Sequence, residues 1–110
     1  GYSSAASDVY KRQDLGTALE ELCAQRPPVL GQGATLIILS DSKTIDQNRA
    51  VRAVLEAKRQ AGRVIWLNPV PENKWQYLRS IQTMAALVPM VSCSTLRELA
   101  AACRKLAGGQ

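Results

Sequence analysis

Apolar positions along the chain follow two alternating rhythms, helical spacing and short unbroken runs. Leu15, Ala18, Leu19, Leu22 and Cys23 recur at helical intervals with Glu20, Glu21 and Gln25 between them, which predicts an amphipathic helix over Asp14–Arg26. Pro27-Pro28 cannot continue it, because proline lacks the amide hydrogen and its ring clashes with the preceding turn. Thr35 to Leu39 (TLIIL) is a continuous β-branched run, the pattern of a strand buried on both faces. A second helix is predicted from Gln47 to Ala61, with Ala50, Val51, Val54, Leu55 and Ala61 inward, Asp46 as N-cap and Gly62 as a left-handed C-cap.

Arg63 to Leu67 (RVIWL) reads as another buried strand, stopped by Asn68-Pro69. After Pro71-Glu72-Asn73 a third helix is expected to turn Trp75, Leu78, Ile81, Met84 and Ala85 to one side. Pro89 separates it from a short strand ending at Ser92 or Cys93. Thr95-Leu96-Arg97-Glu98 fits a reciprocal capping box and opens a last helix with Leu96, Leu99, Ala100, Cys103 and Leu106 buried. Strands alternating with helical crossovers imply an α/β, Rossmann-like parallel sheet with helices on both faces. About three strands and four helices make a narrow version of it, and apolar edges are an aggregation hazard, so the pattern reads as half of a doubly wound domain.

Composition narrows the function classes. A chain of 110 residues holds one small domain. Its longest apolar run is far short of a membrane span, and its start lacks the basic and apolar regions of a signal peptide. Histidine is absent, which removes Ser-His and Cys-His nucleophile pairs and any His-ligated metal from these residues. Cys23, Cys93 and Cys103 sit in apolar patterns without a Cys-x-x-Cys pair, so they are expected to be buried, reduced and cytoplasmic. The formal charge of +5 is spread over several predicted helices rather than gathered in a patch, which points away from nucleic acid.

Ligands of open parallel sheets bind beyond the carboxyl ends of the strands. Those ends carry Ser40, Asp41 and Ser42, then Asn68, then Ser92 to Thr95. Asp41 is the one carboxylate among them. It suits a hard, oxygen-loving cation such as Mg2+, or else only the hydrogen bonds of a turn. It cannot supply paired acid–base chemistry alone. Asn68, before Pro69, reads as a turn residue or as rim of such a site. Gly31-x-Gly33 precedes its strand, the wrong side for a phosphate loop. Trp66 and Trp75 read as core.

Asp14-Leu15-Gly16-Thr17-Ala18-Leu19, Leu36-Ile37-Ile38-Leu39-Ser40-Asp41 and Arg63-Val64-Ile65-Trp66-Leu67-Asn68-Pro69 together resemble the CoxE-like bacterial branch of von Willebrand factor A (VWA) domains. The resemblance covers Asp14 to Leu106 and implies a Rossmann-like domain that binds protein partners through a metal-ion-dependent adhesion site. That site consists of an Asp-x-Ser-x-Ser loop, a threonine and a later aspartate. The last maps onto Asp41, with Ser40, Ser42 and Asn68 as its rim; Ser42 stands where many members have glycine. The Asp-x-Ser-x-Ser loop would lie upstream and the threonine would stand just before Asp14, where this chain has Gln13, so Mg2+ is possible in the intact domain and not expected in this chain alone. The resemblance also implies a MoxR-type AAA+ ATPase as partner, in protein or metalloenzyme maturation, and no catalytic residue here.

Residues 8–13 (DVYKRQ) resemble the translation of a transposon-end sequencing adapter, and residues 1–13 lack sustained apolar spacing. The expected organisation is therefore an artefactual or disordered tail over 1–13, the C-terminal half of a VWA-like domain over 14–107, and a frayed end over 108–110. A second reading, part of a Rossmann-like hydrolase or nucleotide-binding enzyme with its catalytic loop upstream, stays open.

Overall fold

The structure, a computed structural model, describes residues 14–107, with side chains up to residue 105. The expected tail and frayed end, and the expected burial of Leu106, lie outside the described residues. The described residues divide into two compact units, one built from 14–35 with Lys43–Arg63, the other from Leu36–Ser42 with 64–107.

Among the described residues the first unit is a pair of packed helices, α1 (Leu15–Cys23) and α2 (Gln47–Gln60). Each starts on an aspartate: Asp14 Oδ2 accepts the Gly16 N–H at 3.2 Å, and Asp46 Oδ1 accepts the Arg49 N–H at 3.0 Å. α1 ends three residues before the expected Arg26, and Leu15 and Ala18 are only half-buried. Gly16 is buried instead, because a Cβ there would lie 3.3 Å from the Ala50 backbone nitrogen. The buried face of α2 is Ala50, Ala53, Val54 and Ala57, so the expected inward Leu55 is exposed and Val51 half-buried. Its buried stripe is lined by small residues and rotated from the one predicted from the larger side chains. Arg49 donates to both carboxylate oxygens of Glu20, linking the exposed sides of the helices.

Gly62 is not a left-handed cap. The C-cap is Ala61, in extended backbone (φ −86°, ψ 153°). Gly62 is needed for close approach: its N–H donates to the carbonyls of Gly31 and Ala34, and a Cβ on it would lie 1.8 Å from the Gln32 carbonyl oxygen.

The second unit holds a three-stranded sheet in the order β1-β2-β3, formed among the described residues by β1 (Thr35–Leu39), β2 (Arg63–Asn68) and β3 (Met90–Ser92). β2 and β3 are parallel, pairing Trp66 with Met90 and Asn68 with Ser92. Arg63 N–H donates to Ala34 and Ser40 N–H to Leu67, so numbers rise together along β1 and β2 as in a parallel pair. The Rossmann-like parallel arrangement is thus present. Burial corrects one expectation: β1 is not buried on both faces. Only Ile38 is buried in it, while Ile37 and Leu39, on the opposite face, are 45 % and 61 % exposed; among the described residues β1 lies at the edge of the sheet, beside β2 alone. β2, between two strands, is buried from Val64 to Asn68.

The third predicted helix is two pieces, a 3-10 segment over Glu72–Tyr77 and α3 (Arg79–Ala85), broken at Leu78, which adopts extended backbone. Ile81 and Met84 are buried as expected; Trp75 is half-buried, and Leu78 and Ala85 are exposed. α4 (Leu96–Ala107) rests on Ile65, Leu67 and Cys93 through Leu99 and Ala102. Leu96, 85 % exposed, Ala100 and Cys103 do not join that contact. The capping box is half-formed. Glu98 N–H donates to Thr95 Oγ1 at 3.1 Å, but the Glu98 carboxylate reaches Ser94 N–H and Oγ rather than Thr95 N–H.

Candidate functional site

The carboxyl ends of the three strands form a continuous hydrogen-bonded rim within the second unit. β1 runs out into Ser40-Asp41-Ser42. Ser40 uses every polar atom: its N–H donates to Leu67, its Oγ accepts the Ser42 N–H at 3.0 Å, and its carbonyl accepts the Trp66 indole N–H at 2.8 Å. Ser42 is fully buried with φ 71°, a left-handed conformation that favours glycine. Its hydroxyl accepts Asn68 Nδ2 at 3.3 Å.

Asn68, also fully buried, closes the turn over Pro69 by accepting the Val70 N–H on Oδ1 at 2.9 Å. Its carbonyl accepts the Cys93 N–H at 2.7 Å, tying β2 to the end of β3. The Val70 carbonyl in turn accepts the Trp75 indole N–H and the Ser92 hydroxyl. The expected rim residues Ser40, Ser42 and Asn68 therefore meet, with half-buried Asp41 between the first two in sequence.

Two sets of contacts, one in each unit, were not legible as such. Trp66 reads as core, and it is fully buried, yet its N–H is spent on the Ser40 carbonyl; its i, i+2 spacing from Asn68, which sets both on one strand face, is the signal that points to a joint role. Asp14, in the first unit, accepts the Thr44 hydroxyl and the Ile45 N–H at 2.7 Å each, besides capping α1. Partial burial raises its pKa, but the hydrogen bonds from Ile45, Thr44 and Gly16, with Arg49 nearby, outweigh that and hold the carboxyl below its usual range. The cap was readable; partners thirty residues away were not.

The cysteines divide. Burial pushes the Cys23 and Cys93 thiols up, which disfavours thiolate chemistry, whereas Cys103 is exposed, against expectation. An open depression lined by Arg26, Pro28, Leu30, Gln32, Arg59 and Gln60 lies in the first unit. Its cations are engaged: Arg59 pairs with Glu56, and Arg26 donates to the carbonyls of Cys23 and Gln25. Hydrogen bonds from Arg59 and then Gln60 hold Glu56 down to about 2.

The family described as VWA domain containing CoxE-like protein matches residues 2–102. The chain belongs to this family. No curated protein and no solved structure matches it. In this CoxE-like VWA chain the backbone at Ser42 is left-handed, where a side chain is strained unless something holds it, and here Asn68 does. Mg2+ takes six oxygen ligands in near-octahedral geometry. Asp41, Ser40 and Ser42 offer one carboxylate and two hydroxyls already bonded within the rim, and among the described residues no three His, Cys, Asp or Glu side chains converge. The described residues alone do not fit such an ion. Among them, no helix is long and apolar enough to cross a membrane.

Proposed function

We propose that this VWA chain is a non-enzymatic, cytoplasmic protein-interaction module, and that Asp41 is its contribution to a metal-ion-dependent adhesion site. The observation that carries the reading is the rim itself: Asp41 stands in sequence between half-buried Ser40 and buried Ser42, both hydrogen-bonded where parallel strands end, the usual place for a ligand in such sheets. One carboxylate leaves most of a Mg2+ shell unfilled, so the remaining ligands come from outside the described residues. This chain alone is expected to bind Mg2+ negligibly. The partner that fits the family is a MoxR-type AAA+ ATPase acting in protein or metalloenzyme maturation. Lack of histidine and the raised thiols of Cys23 and Cys93 favour binding over catalysis.

The test is capture of the MoxR-type ATPase by the protein that carries this chain, with Mg2+ and with chelator. Capture should need Mg2+ and fall at least about tenfold in Asp41→Ala, the scale of losing a charged ligand. Capture indifferent to both chelator and Asp41→Ala would sink the reading.

A further inference from the structure

Both buried polar side chains of the Trp-Leu-Asn-Pro segment end on the loop that carries Asp41. Trp66 and Asn68 are alternate residues of the central strand, so their side chains project from one face. Trp66 Nε1 donates to the carbonyl of Ser40, the residue before Asp41, at 2.8 Å. Asn68 Nδ2 donates to the hydroxyl of Ser42, the residue after it, at 3.3 Å. We propose that Trp66 and Asn68 are positioning residues that clamp the Ser40-Asp41-Ser42 loop from both sides and so set the direction in which Asp41 presents its carboxylate; the consequence for binding rests on the reading of Asp41 as the ligand-binding acid.

Three observations converge on the clamp. Both donors are fully buried, so each needs an acceptor: Trp66 Nε1 has the Ser40 carbonyl, and Asn68 Nδ2 has the Ser42 hydroxyl with the Met90 sulfur at 3.5 Å as its second contact. The Asn68 amide is locked, because the Val70 N–H requires Oδ1 on its side and leaves Nδ2 to face Ser42. The Ser42 backbone is left-handed, a conformation that persists in a non-glycine residue where surroundings over-determine it; here the Ser40 Oγ and the Asn68 amide do so. Phenylalanine at 66 would lose the donor together with part of a fully buried ring system, so Trp66→Phe is read beside Ser42→Ala, which leaves the core untouched.

The experiment is amide hydrogen exchange by NMR on the full 110-residue chain, comparing wild type with Trp66→Phe, Ser42→Ala, Asn68→Ala and the Ser42→Ala/Asn68→Ala double variant. Ser42→Ala is the mild change that keeps the fold testable if a core variant unfolds. Amides of residues 40–43 should exchange about five- to tenfold faster in each single variant, with those of Ile81 and Val88 unchanged. The double variant should be no faster than Asn68→Ala, because one bond joins the two. Loop amides exchanging as in wild type, or an acceleration spread evenly over loop and core, would overturn the clamp. Mg2+-dependent capture by the protein carrying this chain separates the two proposals. A loosened loop with undiminished capture overturns the claim that the clamp directs Asp41, capture lost only in Asp41→Ala leaves the role of Asp41 standing without it, and an unloosened loop refutes the clamp whatever the capture shows.

Discussion

Strands β1 and β2 are nearly equal in apolar character, TLIIL against RVIWLN, and opposite in fate. β2 lies between two neighbours and buries five consecutive residues; β1 lies at an edge of the described sheet and buries only Ile38. Hydrophobicity made both of them strands. Position in the sheet decided which became core. The weakly buried strand is instead held at its ends by polar and backbone contacts: Gly62 and Arg63 donate to the segment before it, and Ser40 beyond it has all its polar atoms engaged by β2 or by its own loop. Burial and hydrogen bonding thus carry different strands of the same sheet.

The largest test of this contrast is Trp66→Ala, which empties the centre of β2. It should cost about 3–5 kcal/mol in urea unfolding, and a cost near zero would mean that β2 is not the core. Next comes Gly62→Ala, whose new Cβ must displace the Gln32 backbone where β1 and β2 begin; about 2–3 kcal/mol is expected. Gly33→Ala, with nothing within 4 Å of the added atom, is the matched control and should be close to neutral. Equal losses at the two glycines would remove close approach as the explanation.

Asp14→Ala removes a helix cap together with two bonds to residues 44 and 45, and should cost about 1–2 kcal/mol near neutral pH. The folded-state pKa of Asp14 lies below its ordinary value of 3.8, so its contribution is complete above that value. It is lost as pH falls through the lowered folded pKa. Unfolding midpoints of wild type and variant should therefore differ at pH 7 and converge in strong acid; a gap that widened on acidification would contradict the carboxylate's role. The smallest effect belongs to Leu39→Thr, at 61 % exposure on an edge strand, and should stay within about 0.5 kcal/mol. A loss comparable to Trp66→Ala would erase the difference between the strands.

Much of the fold was legible because local chemistry marks it. β-branched runs placed β1 to the residue and β2 to within one, and Asp46 capped α2 as read. Errors arose where a residue's surroundings lie far along the chain. Leu55 and Leu96 have helical spacing and face solvent, whereas Ala53 and Ala57, less apolar by size, line the buried side. Gly62 was read as a helix cap from its neighbours and is in fact a contact with Gln32. The rim was partly legible: Ser40, Asp41, Ser42 and Asn68 follow from strand ends alone, but the bonds that join them do not.

Alternation, capping and family resemblance, all properties of neighbouring residues, were enough to determine that this chain builds parallel strands with helical crossovers and ends its first strand on an acid. Tertiary structure alone decided that β2 is central, that Ser42 is left-handed and that Trp66 and Asn68 converge on the Asp41 loop. Element type depends on torsions and side chains a few residues apart, whereas burial and the satisfaction of polar atoms depend on what the folded chain brings back from a distance.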